Sequence, residues 1–177
     1  ARAARMKSKY ASVNGVSEAA DRFMLTVNAA ASQEELFGHE GVYAKSCYAA
    51  LSAAALPGFS RDPGKGGLAS VEPLANSLID HGNYLCYGIA GTVLWALGIP
   101  PQMSVLHGRT RAGGLIFDVA DTFKDSIVLE PAFARAAAGG KSADKDFRSD
   151  VMAALDKEKI LEKTFALLNN ILPQERA

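Results

Sequence analysis

The chain has 177 residues, 49% of them hydrophobic, and its nineteen basic and nineteen acidic side chains cancel to a formal net charge of zero. That length suits one domain with a real core, and the neutral balance leaves only local basic patches to argue for a nucleic-acid partner. The most apolar stretch, Tyr84 to Pro100, is shorter than the ~20 residues a bilayer span needs, so no membrane-spanning segment is expected.

Alanine is abundant and β-branched runs are scarce, which favours helices. The opening ARAARMKSKY does not start with methionine, and residues 1–16 read as a basic arm with Arg2, Arg5, Lys7 and Lys9, the remnant of a linker from a missing preceding segment. A first helix follows over 17–30. Ser32 and Glu35 then make a capping-box pattern that opens a second helix reaching about residue 56. In it Leu36, Ala44, Cys47 and Leu51 form an apolar stripe, and Glu40 occupies a stripe position. A carboxylate there calls for a cation, and a metal ion or an arginine would serve. Gly38 and Gly41 flank it and leave room for close approach.

The segment PGFSRDPGKGG, 57–67, is a Pro- and Gly-rich mobile loop. It is not a phosphate-binding loop: five residues rather than four separate Gly58 from Gly64-Lys65, and Gly66 stands where a magnesium-binding hydroxyl is required. A long helix is expected from Ser70 to about Gly98, with Pro73 in its first turn and Pro100-Pro101 as its stop. Its glycines Gly82, Gly88 and Gly91 would let a neighbouring helix come near. After a connector over 102–114, the run GGLIFDVADTFKDSIV reads as one helix with Ile116, Ala120, Phe123 and Ile127 on a stripe. Asp121 leans inward from it, and Asp118 and Asp125 point toward the polar side. A short helix over 130–138, a Gly-Gly break, an amphipathic helix over 146–172 and a tail over 173–177 complete the chain. Cys47 and Cys86 sit in apolar helical sequence without CxxC spacing and read as buried thiols, which suits a reducing cytoplasm.

The residues that carry chemistry are Glu40, His107, Asp118 and Asp121. Carboxylates with one imidazole suit magnesium or manganese, where zinc would recruit thiolates or several imidazoles. Ions of that kind support phosphodiester chemistry. Arg109 and Arg111, just beyond His107, have the planar donors that match phosphate oxygens, with Arg61 and Lys65 as a second basic pair. His39 and His81 lack acidic partners at metal spacing and read as surface or interhelix residues. Against this stands the plain alternative that acids three residues apart form only a solvated face.

The segments LFGHEGVYAKSCYAAL, LANSLIDHGNYLCYGIAGTVLWALG and LHGRTRAGGLIFDVADTFKD together resemble the helical domain of the CRISPR adaptation integrase, the universal CRISPR-associated DNA endonuclease, and look most like its type I-F branch. The resemblance spans about residues 17–135. It implies an all-α, single irregular bundle over 17–172, lacking the family's N-terminal β-rich domain. It also implies metal ligation by Glu40, His107 and Asp121, with Asp118 as an auxiliary acid that orients a water or a neighbour. The implied reaction is metal-dependent transesterification, in which a 3'-hydroxyl of incoming DNA attacks a phosphodiester at the edge of a repeat. The implied partners are double-stranded DNA, protospacer and repeat alike, and a small dimeric adaptation subunit that is fused to a helicase-nuclease in the type I-F branch, with the full-length protein a homodimer. Two alternatives stay open: a metal-dependent nuclease of branched or single-stranded DNA without integration, and a non-catalytic helical scaffold.

Overall fold

The structure is a computed structural model that describes residues 1–62, 71–106 and 112–171. Among these, the regular elements are eight helices, α1 (Arg2–Lys9), α2 (Val16–Ala29), α3 (Gln33–Ser52), α4 (Val71–Ala96), α5 (Gly114–Ala120), α6 (Lys124–Ala138), α7 (Ala143–Lys157) and α8 (Ile160–Ile171), with no strand. The expected all-α class is therefore observed.

Helix α4 is the spine, and α5, α6, α7 and α8 all pack on it. Ten of its residues are buried, among them Leu78, Ile79, Cys86, Ala90, Val93 and Leu94. Gly82 explains how α6 and α7 come so near. A Cβ built there would lie 2.6 Å from Cγ1 of Val128 and 2.8 Å from the Phe147 ring, so only glycine fits. Gly88 meets no neighbour and has no such reason. Gly82→Ala is expected to lower stability by about 1–3 kcal/mol through overpacking, measured by urea unfolding.

The α3 start follows the expected chemistry. The Ser32 hydroxyl accepts from the Glu35 amide at 3.2 Å, and the Glu35 carboxylate accepts from the Ala31 amide at 2.8 Å. The two side chains thus satisfy amides that a helix start leaves without intrahelical partners. Both thiols are free and buried, and burial pushes the Cys47 thiol up to about 11 and the Cys86 thiol up to about 12.

Three expectations need correction. Residues 2–9 are a helix, not an arm, and they bury Ala3 and Met6 in the common core. The run around Asp118 is not one helix: α5 ends at Ala120 and α6 starts at Lys124, with Phe123 between them at φ −140° and ψ −22°. The hydroxyl of Thr122 turns back onto the Val119 carbonyl at 2.7 Å, the local bonding by which threonine competes with helix. The C-terminal helix is likewise two, parted at Lys159, whose φ of 51° lies in the left-handed region. The expected Ser70 cap falls outside the described residues.

Candidate carboxylate site

The break between α5 and α6 shapes the site. It re-phases the chain, so that Asp125 enters the first turn of α6 facing inward and is 3% exposed, against the expectation that it lies on the polar side. Asp121, at the C-terminal end of α5, is 9% exposed and leans inward, as expected. Glu40, two turns into α3, is half-buried.

A buried guanidinium joins them. Arg2, in the first turn of α1, donates through Nε to Oδ2 of Asp125 at 2.6 Å and pairs through Nη1 with Glu40. Its planar fork suits this bridge, since one guanidinium carries five donors in fixed directions. Burial alone would lower the pKa of Arg2, but Asp125, Asp121 and Glu40 together outweigh it and hold the guanidinium well above its ordinary range. Its plane also lies over the Tyr43 ring, 5.4 Å from the centroid. The cation that Glu40 requires is thus an arginine in this structure.

Asp121 has its own internal cation. Lys124, three residues on, pairs with it across the break, and its ammonium lies 5.9 Å from the centroid of Tyr87. Burial would lower the Lys124 pKa, yet Asp121 and Asp125 raise it on balance. Among the described residues, the three carboxylates Glu40, Asp121 and Asp125 thus face two cations, Arg2 and Lys124.

Asp118 does something different. Its Oδ2 accepts from the Val105 amide at 2.7 Å, the Leu106 amide at 3.1 Å and the Ser104 hydroxyl at 3.1 Å. One carboxylate oxygen thereby holds the connector to α5. From the other side, the Gln33 amide in the first turn of α3 donates to the Leu106 carbonyl. Leu106 is consequently tied both to the helix that precedes Asp121 and to the helix that carries Glu40. The next residue is His107. His107, Arg109, Arg111 and Lys65 lie outside the described residues. Arg61 is described: its guanidinium pairs with Asp80 and donates to the Asn76 side chain at 2.8 Å, which pins residues 57–62 onto α4. His81 is an interhelix residue, its Nδ1 lying 2.6 Å from Asp144.

The donor set fits a hard divalent cation in its chemistry, since its donors are carboxylate oxygens. In spacing, no three His, Cys, Asp or Glu side chains among the described residues come together as a group that could hold a metal ion. Arg2 stands between Glu40 and Asp125, and Lys124 takes Asp121. Sequence reasoning missed Arg2, Lys124 and Asp125 as parts of this cluster.

The profile of the family described as CRISPR associated protein Cas1 matches residues 1–169. The chain belongs to the Cas1 family. Among curated Cas1 relatives, it is 36% identical over 152 residues to a CRISPR-associated endonuclease Cas1 of Pectobacterium atrosepticum, covering 85% of this chain and 45% of that protein. It is 46% identical over 97 residues to one of Pseudomonas aeruginosa, covering 55% of this chain and 29% of that protein. Both support the resemblance to the type I-F branch. The chain thus spans less than half the length of either Cas1 relative. Among solved Cas1 structures, that of a TtCas1-DNA complex superposes with a TM-score of 0.71 at 23% identity, covering 98% of this chain and 67% of that one. The CAS1 protein from Thermotoga maritima gives 0.69 at 19% identity, covering 86% and 54%. These two likenesses establish the Cas1 helical fold.

Proposed function

We propose that this chain is the helical catalytic part of a Cas1 DNA endonuclease and integrase, which inserts DNA fragments into a CRISPR array by transesterification. One observation carries the reading most: the residue before His107 is bound on one side to Asp118 and on the other to the helix of Glu40, while Glu40 and Asp121 both act on one buried guanidinium. Leu106 thus links the α5 segment to the start of α3, which supports the reading. The curated relatives are named endonucleases, which supports nuclease chemistry.

In this reading Glu40, His107 and Asp121 hold magnesium or manganese. The bound ion would offset charge on the scissile phosphate and stabilise the departing oxygen. Asp118 holds residues 104–106, and its proposed contribution is that of an auxiliary acid that orients a water or a neighbour. Arg109 and Arg111 meet phosphate oxygens beside the carboxylates. Arg61 would have to leave Asp80 to do the same, which puts it behind them. DNA is met mainly through its backbone, so binding weakens steeply with salt. Double-stranded protospacer and repeat DNA, a small dimeric adaptation subunit fused to a helicase-nuclease, a homodimeric full-length state and a cytoplasmic setting complete the proposal. No helix among the described residues is long and apolar enough to cross a membrane.

A non-catalytic scaffold also has an observation in its favour, because Arg2 and Lys124 already neutralise most of the carboxylate charge. Incubation of the full-length protein with a DNA fragment labelled at its 3'-hydroxyl end and a repeat-bearing plasmid, with manganese, separates the readings. Integration predicts label joined covalently to the plasmid. Cleavage without joining indicates a nuclease, and neither product, with no manganese-induced rise in Tm, indicates a scaffold.

A further inference from the structure

We propose that Arg2 is an exchangeable cation of the site: it occupies Glu40 when no divalent ion is bound, gives Glu40 up when one binds, and stays anchored by Asp125 throughout. The inference rests on the proposed metal reading and adds a residue on α1 to it.

The two ends of the Arg2 bridge differ. Toward Asp125 the guanidinium presents two nitrogens, Nε and Nη2, each 2.6 Å from the same oxygen, and that carboxylate side chain is 4% exposed. Toward Glu40 it presents Nη1 alone, and the Glu40 side chain is 23% exposed. The contact to Glu40 is therefore the weaker and the better solvated, so it is the one that opens. Water can replace the lost donor at Glu40 but not at Asp125, where an unpaired buried carboxylate is costly.

Charge drives the exchange. While Nη1 of Arg2 holds Glu40, that carboxylate is engaged by the guanidinium and is not offered to a dication. A divalent ion held by Glu40 would compete with the guanidinium for that carboxylate, and like charges in a low-dielectric setting repel strongly. Loss of the Nη1 contact restores the Glu40 charge to the ion, while the Asp125 anchor keeps α1 docked through Ala3 and Met6. Metal occupancy and the Arg2 side chain are thereby coupled, and the coupling is reciprocal.

Manganese binding to the metal-free full-length protein without DNA, measured by electron paramagnetic resonance of the free ion, tests this. In Arg2→Lys the charge stays near Asp125, which preserves the fold, but a single ammonium cannot span both carboxylates. Its affinity for manganese is expected to rise at least about fivefold, in the usual range of coupling between sites. In the uncharged pair Arg2→Met with Asp125→Asn the rise is expected to be larger, and in Asp125→Asn alone, where Arg2 is left to Glu40, affinity falls. Circular dichroism confirms that each variant is folded. Unchanged or weaker binding in folded Arg2→Lys overturns the proposal. Glu40→Gln separates this from the metal reading itself. If Glu40→Gln abolishes manganese binding while Arg2→Lys leaves it unchanged, only the exchange fails. If Glu40→Gln binds as the wild type does, the metal reading fails as well.

Discussion

Glu40→Ala and Asp121→Ala are each expected to reduce manganese-dependent DNA cleavage by at least about 100-fold while leaving the protein folded, because each removes an oxygen donor whose place no neighbour can take. The two should differ in stability. Glu40→Ala leaves Arg2 on Asp125, where most of its binding lies, so its cost in unfolding free energy is small. Asp121→Ala strips Lys124 of its ion-pair partner in a buried setting and leaves it the weaker attraction of Asp125 and Tyr87, so its cost is greater. Cleavage of a labelled duplex across a manganese titration, alongside urea unfolding of the same variants, reads both effects. Activity that persists in folded Glu40→Ala would remove that residue from the site.

The largest loss of stability is expected from Arg2→Ala. Asp125 would be left buried and 3% exposed without its cation, and breaking a buried pair by removing one partner costs roughly 3–5 kcal/mol. For a chain of this length that corresponds to a fall in Tm of roughly 10 °C. Three elements are stitched by the one side chain, since α1 carries it, α3 supplies Glu40 and α6 supplies Asp125. Adding Asp125→Asn should recover much of the loss, because the offending charge is gone while the shape is kept. A double variant no more stable than Arg2→Ala would show that the guanidinium acts through packing on Tyr43 rather than through charge.

The parts of this fold that were legible in the sequence depend on local chemistry. Ser32 and Glu35 declare a helix start because each side chain reaches an amide within four residues. Gly82 could be suspected of admitting a neighbour, although nothing in the sequence distinguished it from Gly88, which admits none. Helix α4 was bracketed by Pro100-Pro101 and by its apolar content. The inward lean of Asp121 followed from its angle around the helix, closer to the apolar side than Asp118.

What stayed hidden depends on breaks without punctuation and on contacts between remote residues. No glycine or proline marks the interruption at 121–123, and apolar periodicity runs across it, so Asp125 was placed on the wrong side. Thr122 between two carboxylates was the available hint, as short polar side chains offer the backbone local alternatives to helix. The break at Lys159 had even less, since lysine seldom adopts a positive φ. Arg2 lies 38 residues from Glu40 and 123 from Asp125, and no spacing rule links positions so far apart. The need of Glu40 for a cation was foreseeable from its stripe position. That the cation comes from α1 is a property of the packed bundle.

Anomalous diffraction from a crystal of the full-length protein soaked in manganese tests the central claim most directly. One strong peak is expected at the Glu40 and Asp121 carboxylates and the His107 imidazole, with Nη1 of Arg2 withdrawn from Glu40. Full manganese occupancy elsewhere, with Glu40 still on Arg2 and Asp121 still on Lys124, would contradict it.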